Sequence, residues 1–250
     1  MNKIILALCA LWLVPVASHS APTTPPHRSS YNPALIQQWK DRLHTANEQL
    51  QAGDWKRGYD IADSVLREMR DRISGGDAAS DLLAVALLFR ALGESGLGRT
   101  EDAAWDFSTA QSFYSAYEKL DLKPYGPAGA ALETARFKNG MPSDPERPDP
   151  KDLPPGVNVT PPEKIDGERP IYPYAKAISC AVVPPINVKM IINKEGRTAS
   201  PTVFQGADPV LALAALDALR KWRFKPAHLG DRPVSVFYVM VINFKVRQCY

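Results

Sequence analysis

Between residues 32 and 138 apolar side chains recur every three or four positions, and from residue 186 onward they recur every second position. The first period puts one covered face on each of a series of helices, and the second puts one covered face on each of a few strands. Asn32-Pro33 opens the helical part, because a capping side chain followed by proline at the first helical position satisfies free amides without interrupting the helix. Leu35, Trp39, Leu43, Ala46 and Leu50 then share one face, and Gly53 ends the helix. Four further helices are predicted at about 54–73, 78–95, 100–118 and 127–138.

Comparing the helical part with itself matches Gly53, Gly58, Ala62 and Val65 to Gly98, Ala103, Phe107 and Ala110 at an offset of 45 residues. Small residues at such places let two antiparallel helices approach closely after a tight turn, while the larger ones fill the groove between pairs. The run from Leu97 to Ala110 resembles a tetratricopeptide repeat, although such repeats recur about every 34 residues and usually stack in threes or more. The resemblance implies that residues 32–140 form a protein-binding helical scaffold. A small helical bundle without repeat ancestry is the alternative.

From 141 to 170 the periodicity is lost and prolines crowd the chain, so this stretch is expected to be an extended, semi-rigid linker. At about 3.1 Å per residue it could hold two domains up to roughly 100 Å apart. Beyond it, Ile186, Val188, Met190 and Ile192 describe one face of a strand, Lys194-Glu-Gly196-Arg197 a hairpin turn, and residues 198–204 a second strand. Asp208-Pro209 starts a helix on which Leu211, Ala215, Ala218, Leu219 and Trp222 face one side. Val234, Val236, Tyr238, Met240, Ile242, Phe244 and Val246 then form one face of a continuous last strand, near 40 Å long at about 3.4 Å per residue. If that strand lies at a sheet edge, its unpaired amides and carbonyls are a template for another chain. The expected class is α+β: a helical domain at 32–140, a proline-rich linker at 141–170, and a small antiparallel sheet packed on one helix, in the order β-β-α-β, at 171–250.

Composition narrows the chemistry. Thirty Lys and Arg against 27 Asp and Glu give +3, too little for a nucleic-acid or membrane-surface field. A basic start, an uncharged run over 4–17 and small residues at 18 and 20 read as a secretory leader of residues 1–20, followed by a proline-rich segment at 21–31 that has nothing to bury. His27, His44 and His228 have no ligand spacing, and the cysteines form no Cys-x-x-Cys pair, so neither a metal nor a cofactor is expected. Gly93-Glu-Ser95-Gly96-Leu97 misses the nucleophile elbow at its last position, and no phosphate loop is present, so the chain does not read as an enzyme.

One resemblance is specific. The order strand, Gly196-Arg197 turn, strand, helix, Lys221-Trp222-Arg223-Phe224-Lys225-Pro226-Ala227, a Gly230-x-x-Pro233-Val234 turn and a strand ending Ile242-Asn243-Phe244 resembles the C-terminal domain of TonB, the energy transducer of Gram-negative envelopes. Arg169-Pro-Ile-Tyr172-Pro173-Tyr-Ala175 is similar to that family's Tyr-Pro-x-x-Ala lead-in. The resemblance implies a periplasmic protein that binds an outer-membrane TonB-dependent transporter by strand addition, linked to energy-dependent uptake of iron chelates or vitamins. It carries partner binding onto Tyr172 and Pro173 and onto the last strand, where Val236, Tyr238, Met240 and Ile242 are the candidates. The alternative is a soluble periplasmic adaptor without an energy role, since the family's membrane helix and long Pro-Glu and Pro-Lys spacer have no counterpart in this sequence.

In that fold the first and last strands pair antiparallel, which brings Cys180, before the first, beside Cys249, after the last. A disulfide between them closes a separation of 69 residues and contributes roughly 4 kcal/mol by loop entropy. Peptide mapping of the exported protein without reductant is expected to recover the two cysteines in one linked species; two free thiols would exclude the bond.

Overall fold

The computed structural model describes residues 32–72, 77–140, 159–173, 184–204 and 207–244. The expected leader, the segment 21–31, the first part of the expected linker, and both Cys180 and Cys249 lie outside the described residues.

Five helices, α1 (Pro33–Gln51), α2 (Trp55–Arg72), α3 (Asp77–Gly96), α4 (Thr100–Phe113) and α5 (Gly126–Gly140), form the N-terminal unit. Asn32 caps α1, its Oδ1 accepting from Ala34 N–H at 3.1 Å and Leu35 N–H at 3.3 Å. The predicted stripe is covered, with Trp39, Leu43, Ala46 and Leu50 buried. Gly53 and Gly98 are left-handed at φ +84° and +78°. The next amide then reaches back across the turn, Asp54 N–H to Gln49 O at 2.9 Å and Arg99 N–H to Glu94 O at 2.8 Å. The same helix-ending bond thus folds α1 onto α2 and α3 onto α4 as two hairpins. Helix α4 is shorter than predicted: Tyr114 is extended at φ −142°, ψ 93°, and the chain continues as a 3-10 turn, Ser115–Lys119, that buries Tyr117.

The C-terminal unit contains β1 (Val159–Thr160), β2 (Glu163–Asp166), β3 (Ile186–Ile192), β4 (Thr198–Val203), α6 (Pro209–Leu219), β5 (Arg223–Lys225), β6 (Ala227–Leu229), β7 (Arg232–Val234) and β8 (Val236–Ile242). Its strands pair antiparallel as β4-β3-β8, β2-β5 and β1-β6-β7. Two differences from the sequence reading stand out. Residues 159–166, assigned to the linker, contain strands: Val159 lies opposite Leu229 and Glu163 opposite Lys225. The prolines there are clustered at 161 and 162, and the proline-free residues after them keep the amides a ladder needs. The continuous last strand is also broken. Val234 pairs with Ala227 in one sheet, the chain changes partner at Ser235, and Val236 begins the pairing with β3 in another. The β8 strand therefore has seven residues, about 24 Å at the usual rise.

Turn geometry is tightest at Gly196, where φ is +75° and a Cβ would stand 1.8 Å from Phe224 O. That close approach lets Phe224 N–H donate to Gly196 O at 2.9 Å, joining the β3–β4 turn to β5.

Helix α6 joins the two units. Asp208 caps it, accepting from Val210 N–H at 3.0 Å and Leu211 N–H at 3.1 Å. Of its eleven residues, Val210 through Leu216 and Leu219 are all buried, so it is apolar around its circumference rather than on the single predicted face. Leu211, Ala215, Leu216 and Leu219 pack with Ile186, Val188, Met190 and Ile192 of β3. Val210 and Leu213 belong to the core of the helical unit. Conversely, Trp105 of α4 enters the core of the sheet. The two units are packed against each other, not held apart by a spacer.

A buried ion-pair cluster crosses this junction. Arg90 on α3 meets Asp106 on α4 through two nitrogens, with Nη2 to Oδ1 at 2.9 Å, and its Nη1 lies 3.2 Å from Asp63 on α2. Arg220, at the end of α6, reaches Asp106 at 3.1 Å, Glu94 at 3.6 Å and also Asp102. Asp217 pairs with Arg70 at 2.6 Å. Carboxylates outnumber guanidiniums here, and Glu94, 3% exposed, has one buried oxygen without a hydrogen-bond partner. Burial, then the neighbouring Asp106, pushes its carboxyl up to about 8 despite Arg220 and Arg90.

A carboxyl that titrates higher in the folded chain than in the unfolded one favours folding while protonated. Its contribution fades as pH rises from the unfolded value near 4.5 to about 8, by at most about 1.4 kcal/mol per pH unit. Glu94→Gln removes this loss, so the stability difference between variant and parent is expected to widen in the variant's favour between pH 4.5 and 8, as followed by denaturant titration at each pH. Gly196→Ala, which cannot keep its turn, is expected to lower stability by at least about 2 kcal/mol in the same assay.

Candidate functional site

The β4-β3-β8 sheet has one face on α6 and one toward solvent. On the strand β8, Val236, Tyr238, Met240 and Ile242 stand on the covered side, directly opposite Ile192, Met190, Val188 and Ile186. Phe237, Val239 and Val241 stand on the other side and are 43%, 54% and 51% exposed. Lys189 of β3 places its Nζ 4.3 Å from the centroid of the Phe237 ring, covering one end of that apolar row.

Hydrogen-bond parity determines which backbone groups of β8 point outward. Phe204 N–H donates to Asn187 O at 3.1 Å, so Asn187 directs its polar groups toward the β4 side. Successive residues of a strand alternate in this direction, so Val188, Met190 and their even-numbered neighbours direct theirs toward β8. Their partners, Met240 opposite Val188 and Tyr238 opposite Met190, therefore bond inward to β3. The intervening residues, Val239 and Val241 among them, direct N–H and C=O away from it. Among the described residues, β3 is the one strand paired with β8.

The two edges of this sheet differ in kind. The β8 edge carries no charge, no proline and no register shift, whereas β4 contains Pro201, a shift in register against β3, and Ser200 at φ +46°. Sheets normally protect an exposed edge with such devices, and here they are concentrated on the opposite one.

The structure brings the two sets of sequence-derived candidates together at one end of β8. The Tyr172 ring meets Phe244, two residues past the strand, edge to face at 5.8 Å, and Pro173 beside it is buried. Burial, with Asp208 nearby, raises the Tyr172 hydroxyl above the ordinary tyrosine range. The lead-in is anchored further back, where Trp222 Nε1 donates to Glu168 O at 2.7 Å and Lys164 Nζ lies 3.5 Å from the centroid of a Trp222 ring. Trp222 and Phe224 are buried in the sheet core, as expected for aromatic residues at a helix-to-strand junction. Val236, Tyr238 and Met240 are half-buried and Ile242 is buried, so their side chains belong largely to the core and their backbones to the β3 ladder. The positions that face outward at the edge, Val239 and Val241, were not among the candidates. Alternation in the sequence shows two faces, but edge parity appears only with the pairing of β3 and β4.

Residues 169–246 match the family model described as the Gram-negative bacterial TonB protein C-terminal. The match does not extend into the helical unit. Comparisons with curated proteins and with solved structures gave no match. Among the described residues, no helix is long and apolar enough to cross a membrane.

Proposed function

We propose that this protein works on the periplasmic side of a Gram-negative outer membrane, where β8 receives an extended segment of a TonB-dependent transporter as an added strand in energy-dependent transport. The charge-free β8 edge, which among the described residues pairs with β3 alone and lies within the residues that match the TonB C-terminal model, carries this reading. Main-chain bonds to Val239 and Val241 supply affinity, and the apolar side chains on either side of the edge supply selectivity. Tyr172 and Pro173, packed at the Ile242 end of β8, close one end of the docking site. A second reading, an adaptor without an energy role, is favoured by one observation: the helical unit is packed directly on the C-terminal unit through α6. Cell fractionation separates the two, since a transducer is recovered with the inner membrane and an adaptor in the soluble periplasmic fraction.

Strand addition itself is tested with the full chain and a synthetic peptide of the periplasm-facing N-terminal segment of such a transporter. Val239→Pro or Val241→Pro removes an outward N–H and leaves the β3 ladder bonds in place. Each is expected to weaken binding at least about tenfold, or about 1.4 kcal/mol, with little change in thermal unfolding. Met240→Pro removes a ladder bond and is expected to lower stability instead. Undiminished peptide binding by the folded Val239→Pro and Val241→Pro variants would rule out docking at this edge.

A further inference from the structure

The far edge of the same sheet is closed by the helical unit, and the closure is specific at the level of single atoms. By the alternation derived above, Val203 on β4 directs its N–H away from β3, to the place a fourth strand would occupy. Helix α4 lies along that edge. Its Ser112 Oγ accepts the Val203 N–H at 3.2 Å, and its own proton lies between Ser108 O at 3.1 Å and Pro201 O at 3.3 Å. Pro201 itself has no N–H to offer. Val203 and Pro201 are buried against the helix, and Trp105, two turns earlier on α4, is inserted in the sheet core. The helix is held to the C-terminal unit a second time by the contacts of Asp102 and Asp106 with Arg220.

We propose that α4 is an intramolecular edge cap, with Ser112 standing in for a neighbouring strand, so that the sheet accepts one partner strand at β8 and cannot extend from β4. A sheet with two open edges can take two strands or join copies of itself end to end without limit; closing one edge leaves a single place for an added strand and stops growth from β4. What docks at β8 rests on the preceding reading, whereas the closure of β4 is independent of it.

Two measurements on the full chain test the cap. Hydrogen exchange resolved to single amides is expected to show Val203 as protected as the amides of the β3–β8 ladder, and Ser112→Ala is expected to speed its exchange tenfold or more with little change at Met240. The double variant Ser112→Arg, Pro201→Val pushes the helix away and restores an N–H. It is expected to form concentration-dependent oligomers in sedimentation, and to do so equally when Val239→Pro blocks the β8 edge. Val203 exchanging as fast as an open loop in the parent protein would overturn the proposal, as would a folded double variant that stays monomeric. If the transporter peptide fails to bind the parent protein while Val203 is protected and the double variant associates, the β8 reading fails and the cap stands.

Discussion

The whole arrangement depends on one constraint: α6 is apolar all the way round, and both of its sides must be covered. The sheet covers one side through β3, and the helical unit covers the other through Val210 and Leu213. A helix of this composition is stable only as the middle layer of a larger body. Neither unit buries it alone, so the C-terminal unit and the helices share one interior. Arg220, at the end of the same helix, extends the junction into a polar cluster in which burial keeps Glu94 protonated well above the normal carboxylate range. The junction thus has an apolar layer through α6 and a polar one through Arg220.

Sharing a layer has a geometric effect on the sheet. The helical unit reaches α6 from one side, and that approach brings α4 along β4. The docking of the two units and the closure of one edge are thus a single structural event, and β8 is left at the opposite end of the sheet. The strand of this sheet with the least edge protection in its own sequence is the one at the edge opposite α4.

Much of the local structure was legible in the chain. The Asn32-Pro33 and Asp208-Pro209 starts, the stripe through Trp39 and Leu50, and the turn at Gly196 each express a local steric or hydrogen-bonding preference, and each is where the pattern placed it. Features decided by distant partners were not legible. Val234 and Val236 continue one alternation, yet they pair with different sheets, because Ala227 competes for the first and Ile192 for the second. The short strands at 159–166 are too brief, and too close to Pro161 and Pro162, to stand out in the sequence, and they are fixed by their pairing with β5 and β6. The run from Pro209 to Leu219 did carry a signal for two-sided burial in its lack of a polar face, with Asp217 its one charged residue. The candidate site was legible as a strand, but which of its residues direct N–H and C=O outward was not: that set is the odd-numbered one, Val239 and Val241 among them, and only a neighbour's register separates inward from outward.

The proposed docking at the β8 edge has a consequence for selectivity. Backbone amides and carbonyls are the same in every polypeptide, so a contact made mainly through them is nearly blind to the identity of its guest. Any segment that can lie extended beside Val239 and Val241 without bringing a charge against their side chains meets the same docking surface. On that mode breadth of clientele follows, and discrimination between guests falls to the apolar side chains that flank the edge and to which proteins present an extended segment nearby.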